Sequence, residues 1–184
     1  MASSNFYIND IDRTSCVSFN KTMKIKDSSD SEPSILELGM EIRDGGALPK
    51  GDDDVELVQS GTTLFAGKIL KLTPKRKAKG SVVWQLTCID YNRDLDRNLV
   101  VESYEDMTDK EIITDIIHRY APDFSVNNVV EGVTIEQIVF NYTPPSECFE
   151  KICELTGRTW YADYDKDIHY LLASTNQAPF NISE

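Results

Sequence analysis

Through most of the first hundred residues, apolar side chains fall at every second position. In "SCVSFNKTMKIK" the residues Val17, Phe19, Met23 and Ile25 alternate with mainly polar neighbours, and "SILELGMEIR" repeats the pattern with Leu36, Leu38, Met40 and Ile42. Period-two alternation places one face on a core and the other in water, so both segments read as strands. Between them "DSSDSEPS" has no apolar anchor and reads as a mobile hairpin loop, and "GGALPKGDDD" is a second break before the short strand "VELVQ". "TLFAGKILKL" and "VVWQLTCIDY" carry apolar residues on both faces, which predicts central positions in a sheet or barrel. Their joint, "TPKRKAKGS", is punctuated by Pro74 and Gly80. About six strands at this spacing suggest a small sandwich or closed barrel ending near Arg97.

The pattern then changes period. "MTDKEIITDIIHRYAP" opens with Thr108 and Glu111 at capping-box spacing, and Ile112, Ile113, Ile116, Ile117 and Tyr120 form one helical stripe that Pro122 ends. "VTIEQIVFNYTPP" is an apolar strand closed by a proline pair. A second helix follows, with Ser146 as its cap, Phe149, Ile152, Cys153 and Leu155 along it, and Gly157 as its terminator. The tail "STNQAPFNISE" is weakly patterned. The predicted class is α+β. An N-terminal antiparallel β-barrel or sandwich spans 1–98, and a small mixed α/β domain spans 99–184. The latter has helices near 108–120 and 146–156 and a C-terminal hairpin near 159–172.

That hairpin holds three aspartates at alternate positions, Asp163, Asp165 and Asp167, in "WYADYDKDIHYL". A calcium loop of the EF-hand type would share this start, but needs glycine at its sixth position and a bidentate acid at its twelfth. Counted from Asp163 those positions hold Ile168 and Ser174. The strand reading fits better. A three-residue loop, Asp165–Lys166–Asp167, with Asp167 left-handed, sets Tyr164 against Ile168, Ala162 against Tyr170 and Trp160 against Leu172. One continuous apolar face results, and the other face pairs Tyr161 with Leu171 and Asp163 with His169. An exposed Asp163–His169 pair would contribute at most about 0.5–1 kcal/mol.

Composition narrows the function. Of 184 residues, 40% are hydrophobic and 27% charged, which is ordinary for a globular chain, and the net charge of −12 argues against a generic nucleic-acid binder. The N-terminal "MASSNFYINDIDR" shows no secretory signal, and no run approaches the roughly 18 apolar residues of a membrane span. Cys16, Cys88, Cys148 and Cys153 form no C-x-x-C pair and read as reduced, mostly packed thiols.

Catalytic signatures are missing. His118 and His169 lie far apart and no cysteine pair has zinc-ligand spacing, so His118 reads as a helix-edge histidine. There is no G-x-S-x-G elbow and no glycine-rich phosphate loop between a strand and a helix. The acids of "GDDDVE" cannot all point to one place on an extended chain. No catalytic, cofactor-binding or metal-binding residue emerges, and no cofactor is expected. Lys75, Arg76, Lys77 and Lys79 form a basic cluster in an otherwise acidic chain, either a solvated hairpin tip or a docking point for an acidic patch on a neighbouring subunit.

The run "GTTLFAGKIL", "WQLTCIDYNRDLDR", "ESYEDMTDKEIITDII" and "SECFEKICELTGRTWYADYDKDIHY" resembles the baseplate or tail hub proteins of bacteriophages, and the related spike-base proteins of contractile injection systems. The marks are Phe65 and Gly67 before Ile69, "CIDY" followed by "LDR", and Thr156-Gly157 leading to Trp160-Tyr161. The resemblance spans roughly residues 14–180. It implies a non-enzymatic structural protein, a ring usually of three subunits that joins the tail tube to the tip. The first part would be a tube-like barrel. Implied partners are copies of itself and the tail tube, distal tail and tip or spike proteins. DNA passes through such a ring without specific binding, and an acidic wall would repel it. The implied location is the virion tail, with assembly in the bacterial cytoplasm. Members usually run well beyond 184 residues, with a second barrel, so the chain reads as a fragment, a short divergent version or half of a split hub. The rival readings are a metal-dependent hydrolase or lytic tail enzyme, and a β-rich, carbohydrate-binding module.

Overall fold

The computed structural model describes residues 4–17, 23–26, 33–42, 47–76, 82–130 and 132–172. The predicted "DSSDSEPS" loop, apart from its last two residues, and the C-terminal tail lie outside them. The chain divides into two compact units, Met1–Arg93 and Asp94–Glu184.

The first unit is one antiparallel sheet of seven strands: β1 (Ser4–Ile8), β2 (Ile11–Asp12), β3 (Lys24–Lys26), β4 (Ile35–Glu41), β5 (Asp54–Gln59), β6 (Thr62–Arg76) and β7 (Val82–Asp90). Their order is β2-β1-β5-β6-β7-β4-β3, so the long β6 and β7 are central as their two-faced apolar pattern predicts. The expected closed barrel is corrected. Among the described residues the order is linear, ending at β2 and β3. These are only two and three residues long, too short to carry a closing ladder. Alternate residues of five strands still make one core, with Phe6, Leu36, Leu38, Met40, Leu57, Phe65, Ile69, Leu86 and Cys88 all fully buried. Each such large side chain contributes about 1.5–3 kcal/mol by leaving water. Ile25, predicted to face inward, is instead 37% exposed on the edge strand β3.

Turn chemistry sets these registers. Asn9 and Asp10 both have positive φ (48° and 62°), and so do Ser60 and Gly61 (52° and 85°). They form two-residue turns joining β1 to β2 and β5 to β6, whose twist matches the flanking strands. At Gly67 a Cβ would lie 2.1 Å from the Ile89 carbonyl oxygen, so only glycine allows β6 to approach β7 there. The short helix α1 (Asn92–Leu95) falls at the boundary between units.

In the second unit β8 (Val100–Thr108) pairs with β10 (Thr134–Thr143), and β9 (Ser125–Val129) runs parallel to β12 (Asp167–Leu172), which pairs with β11 (Arg158–Ala162). Helix α2 (Asp109–Tyr120) has the predicted capping box, with Thr108 and Glu111 satisfying each other's amides. Its four isoleucines are fully buried. Helix α3 (Pro145–Thr156) starts one residue earlier than expected and without a side-chain cap. Proline fits this first turn because it has no amide to satisfy. Ser146, expected to cap, lies inside the helix and donates its amide and hydroxyl to Asp96. The buried face is Cys148, Phe149 and Ile152, whereas Leu155, predicted along the same helix, is 64% exposed in its last turn. Gly157 ends the helix at φ 68°, as predicted.

Candidate functional site

The β11–β12 hairpin differs from its predicted register by two residues. Trp160 faces Tyr170, Tyr161 faces His169, and Ala162 faces Ile168. The left-handed residue is Lys166 (φ 60°) rather than Asp167. Asp163 explains the shift. Its Oδ1 accepts the amides of Asp165 and Asp167 at 2.9 Å each, and its carbonyl accepts the Lys166 amide at 3.2 Å. An aspartate at the first position of the turn thus outweighs one at the left-handed position. Because the shift is even, most of the inner face survives: Ile168 and Tyr170 are fully buried and Trp160 meets Phe149 edge-on at 5.2 Å, whereas Leu172, also predicted on that face, is 50% exposed.

The opposite side gathers polar groups. His169 Nε2 lies 2.9 Å from Asp163 Oδ2 and 4.0 Å from Asp167 Oδ2. Its ring stacks on Tyr161 at 4.5 Å and 7°. Asp167 is buried, and its Oδ1 accepts from the Ser125 hydroxyl and from the Asn127 amide at 2.9 Å. Its Oδ2 accepts from the Asn128 side chain at 2.6 Å. Burial alone would raise the pKa of this carboxyl, but the donors from β9 outweigh burial and hold it below the ordinary value. Sequence spacing could not reveal Ser125, Asn127 and Asn128 as partners, because "SVNNV" has no strand alternation.

A second polar centre is internal. Asp109, the first residue of α2, is fully buried against Arg158 at 3.6 Å. It accepts from Tyr170 Oη and from the amides of Lys110 and Gly132. Arg158 donates to the Val130 carbonyl and lies over the Tyr170 ring. Burial and the neighbouring Asp109 carboxylate push the Tyr170 phenol above its ordinary range. All these groups satisfy one another inside the fold, which suits a structural tie.

The other predicted candidates do not converge. Lys75 is exposed on β6, only the backbone of Arg76 is described, and Lys77 and Lys79 lie outside the described residues. Asp52 pairs with Arg93, Asp53 accepts from Asn9 and the Lys50 amide, and Asp54 accepts from Tyr91. The three carboxylates thus serve separate partners. His118 is exposed beside the α2 stripe. Burial pushes the thiols of Cys88, Cys148 and Cys153 up to about 12, leaving them poor nucleophiles at neutral pH. A patch in the first unit sets exposed Ile11 and Leu48 beside Arg13 and Lys50.

Charge is distributed unequally. Residues 1–93 hold 13 Lys/Arg and 13 Asp/Glu, while residues 94–184 hold 6 and 18, so the second unit carries the whole net charge of −12. The counts were legible in the sequence, but their meaning needed the unit boundary.

No protein-family profile matches the chain, and no curated protein matches it in sequence. Solved structures do match. The 43 kDa tail protein of prophage MuSo2 from Shewanella oneidensis superposes with TM-score 0.76 at 13% identity, covering 97% of this chain and 55% of that one. The fold resembles that of prophage tail proteins. A tail protein from Neisseria meningitidis MC58 gives TM-score 0.72 at 10% identity, covering 92% of this chain and 51% of that one. The Escherichia coli c3393 protein, a component of the type VI secretion system described as similar to the T4 bacteriophage tail proteins gp27 and gp5, gives 0.55 at 16%, covering 80% and 47%. The chain therefore spans about half the length of these solved proteins. No helix among the described residues is long and apolar enough to cross a membrane.

Proposed function

We propose that this chain is a structural component of a phage or phage-like tail baseplate hub, joining the tail tube to the tip or spike through subunit contacts. The observation that carries the reading is the superposition on a prophage tail protein over 97% of the chain, which takes in both units at once. The proposal assigns it no catalytic role, a location in the virion tail after assembly in the host cytoplasm, and a homotrimeric ring with tube, distal tail and tip proteins as neighbours. The strongly anionic second unit supports a place beside the DNA path, because like charge repels the phosphate backbone.

Within this reading Lys75, Arg76, Lys77 and Lys79 dock an acidic neighbouring subunit. Co-expression with the adjacent tail genes, followed by purification of tails, tests the function. The chain is expected at the tube–tip junction by immunogold labelling, and its absence from tails that are otherwise complete would defeat the reading. Replacing the four basic residues with serine should weaken incorporation, and unchanged incorporation removes the docking role. Light scattering on the assembled hub tests the trimer.

A further inference from the structure

The D-x-D-x-D-x-H run of residues 163–169 fits no calcium-loop template, yet the turn at Tyr164–Lys166 folds three of its donors toward one point. One carboxylate oxygen each of Asp163 and Asp167 and one ring nitrogen of His169 lie within 4.8 Å of one another. We propose that these three side chains bind one divalent transition-metal ion of the zinc type, clamping the hairpin beside β9.

Several observations separate this cluster from the acidic turn at Asp52–Asp54. The donor set includes an imidazole nitrogen, which suits zinc, cobalt or nickel better than calcium or magnesium. A four-coordinate zinc with ligands at about 2.0–2.2 Å needs its donors about 3.3–3.5 Å apart. The separations from Nε2 to the two carboxylate oxygens, 2.9 and 4.0 Å, bracket that value. Each carboxylate has its other oxygen held by donors outside the set: Asp163 Oδ1 by two turn amides, and Asp167 Oδ1 by Ser125 and Asn127 from β9. Asn128 occupies one lone pair of Asp167 Oδ2 and leaves the other available. Such outer partners aim first-contact ligands. The stack on Tyr161 fixes the plane of the imidazole. Asp163 and His169 keep 33% and 18% of their side chains exposed, which leaves an entry path.

Without metal, His169 donates its Nε2 proton to Asp163 Oδ2. On binding, the imidazole carries its proton on Nδ1 and offers the Nε2 lone pair, the two carboxylates neutralise the dication, and water fills the remaining position. The proposal is independent of the tail reading, and either stands if the other fails.

Chelator-treated full-length protein titrated with Zn²⁺ in a calorimeter tests it. One equivalent is expected to bind and the melting temperature to rise with free Zn²⁺, while Ca²⁺ and Mg²⁺ at equal concentration shift neither. Co²⁺ should bind without a thiolate-to-metal absorption band, which excludes Cys16 and Cys153 as the ligands. His169→Gln, which keeps a polar amide beside Asp163, should retain the fold by circular dichroism and lose affinity by at least about tenfold. Asp163→Asn should do the same, and if it unfolds the turn the His169→Gln result decides alone. No stoichiometric Zn²⁺ binding, a thiolate band, or undiminished binding by His169→Gln overturns the proposal.

Discussion

Asp109 shows how far a single residue can depart from its local pattern. At the start of a helix an acid is normally solvated and favours the helix dipole. Here it is fully buried and tied to Arg158, Tyr170 and the Gly132 amide. Asp109→Ala leaves the Arg158 guanidinium buried without its counter-charge, so urea unfolding should show a loss of about 3–5 kcal/mol. Gly132→Ala should also destabilise, because the added Cβ would lie 2.1 Å from Asp109 Oδ2 and 2.7 Å from Arg158 Cζ. An unchanged urea midpoint for Gly132→Ala would mean that the loop yields. None of this was legible along the chain, since the partners come from separate elements and no local spacing announces them.

Elements with short-range signals read well. The capping box and isoleucine stripe of α2 were visible because a helix's period and cap both lie within one or two turns. Thr108→Ala should cost about 1 kcal/mol in a thermal melt. Hydrogen bonds from Thr108 hold the Glu111 carboxyl below its ordinary pKa. The folded state therefore binds this proton less readily than the unfolded chain. The stabilisation is complete above the unfolded value of about 4.3 and is lost as pH falls through the lower folded value. Glu111→Gln should flatten that acid slope in melts taken between about pH 5 and 3. In the β11–β12 hairpin the inner face was legible but the register was not. Period two survives a two-residue slip, and only the Asp163 turn bonds choose between the alternatives. Lys166→Gly removes a left-handed side-chain penalty of about 1 kcal/mol and should raise the melting temperature. A fall would show that glycine's extra unfolded-state entropy dominates.

For the whole molecule the charge imbalance matters most. A unit with 18 acids against 6 bases repels itself, and salt screens that repulsion. Raising NaCl from about 0.01 to 0.15 M shortens the screening length from about 30 to 8 Å, so the melting temperature should rise. A fall would mean that attractive pairs such as Arg119–Glu102 and Arg97–Asp94 outweigh the net charge. The open first sheet belongs to this scale as well. Strand count and alternation are the same for a barrel and for a coiled open sheet, so closure was not legible. It is decided by which strands lie at the edges.

By itself the sequence determined where most strands and helices lie, which faces they bury, where α2 is capped and where α3 ends. These follow from interactions among residues a few positions apart. Tertiary structure alone decided the edge order of the first sheet, the buried Asp109–Arg158 tie, the recruitment of β9 and the meeting of Asp163, Asp167 and His169. Each depends on segments brought together across the fold or on a turn whose competing registers share one alternation.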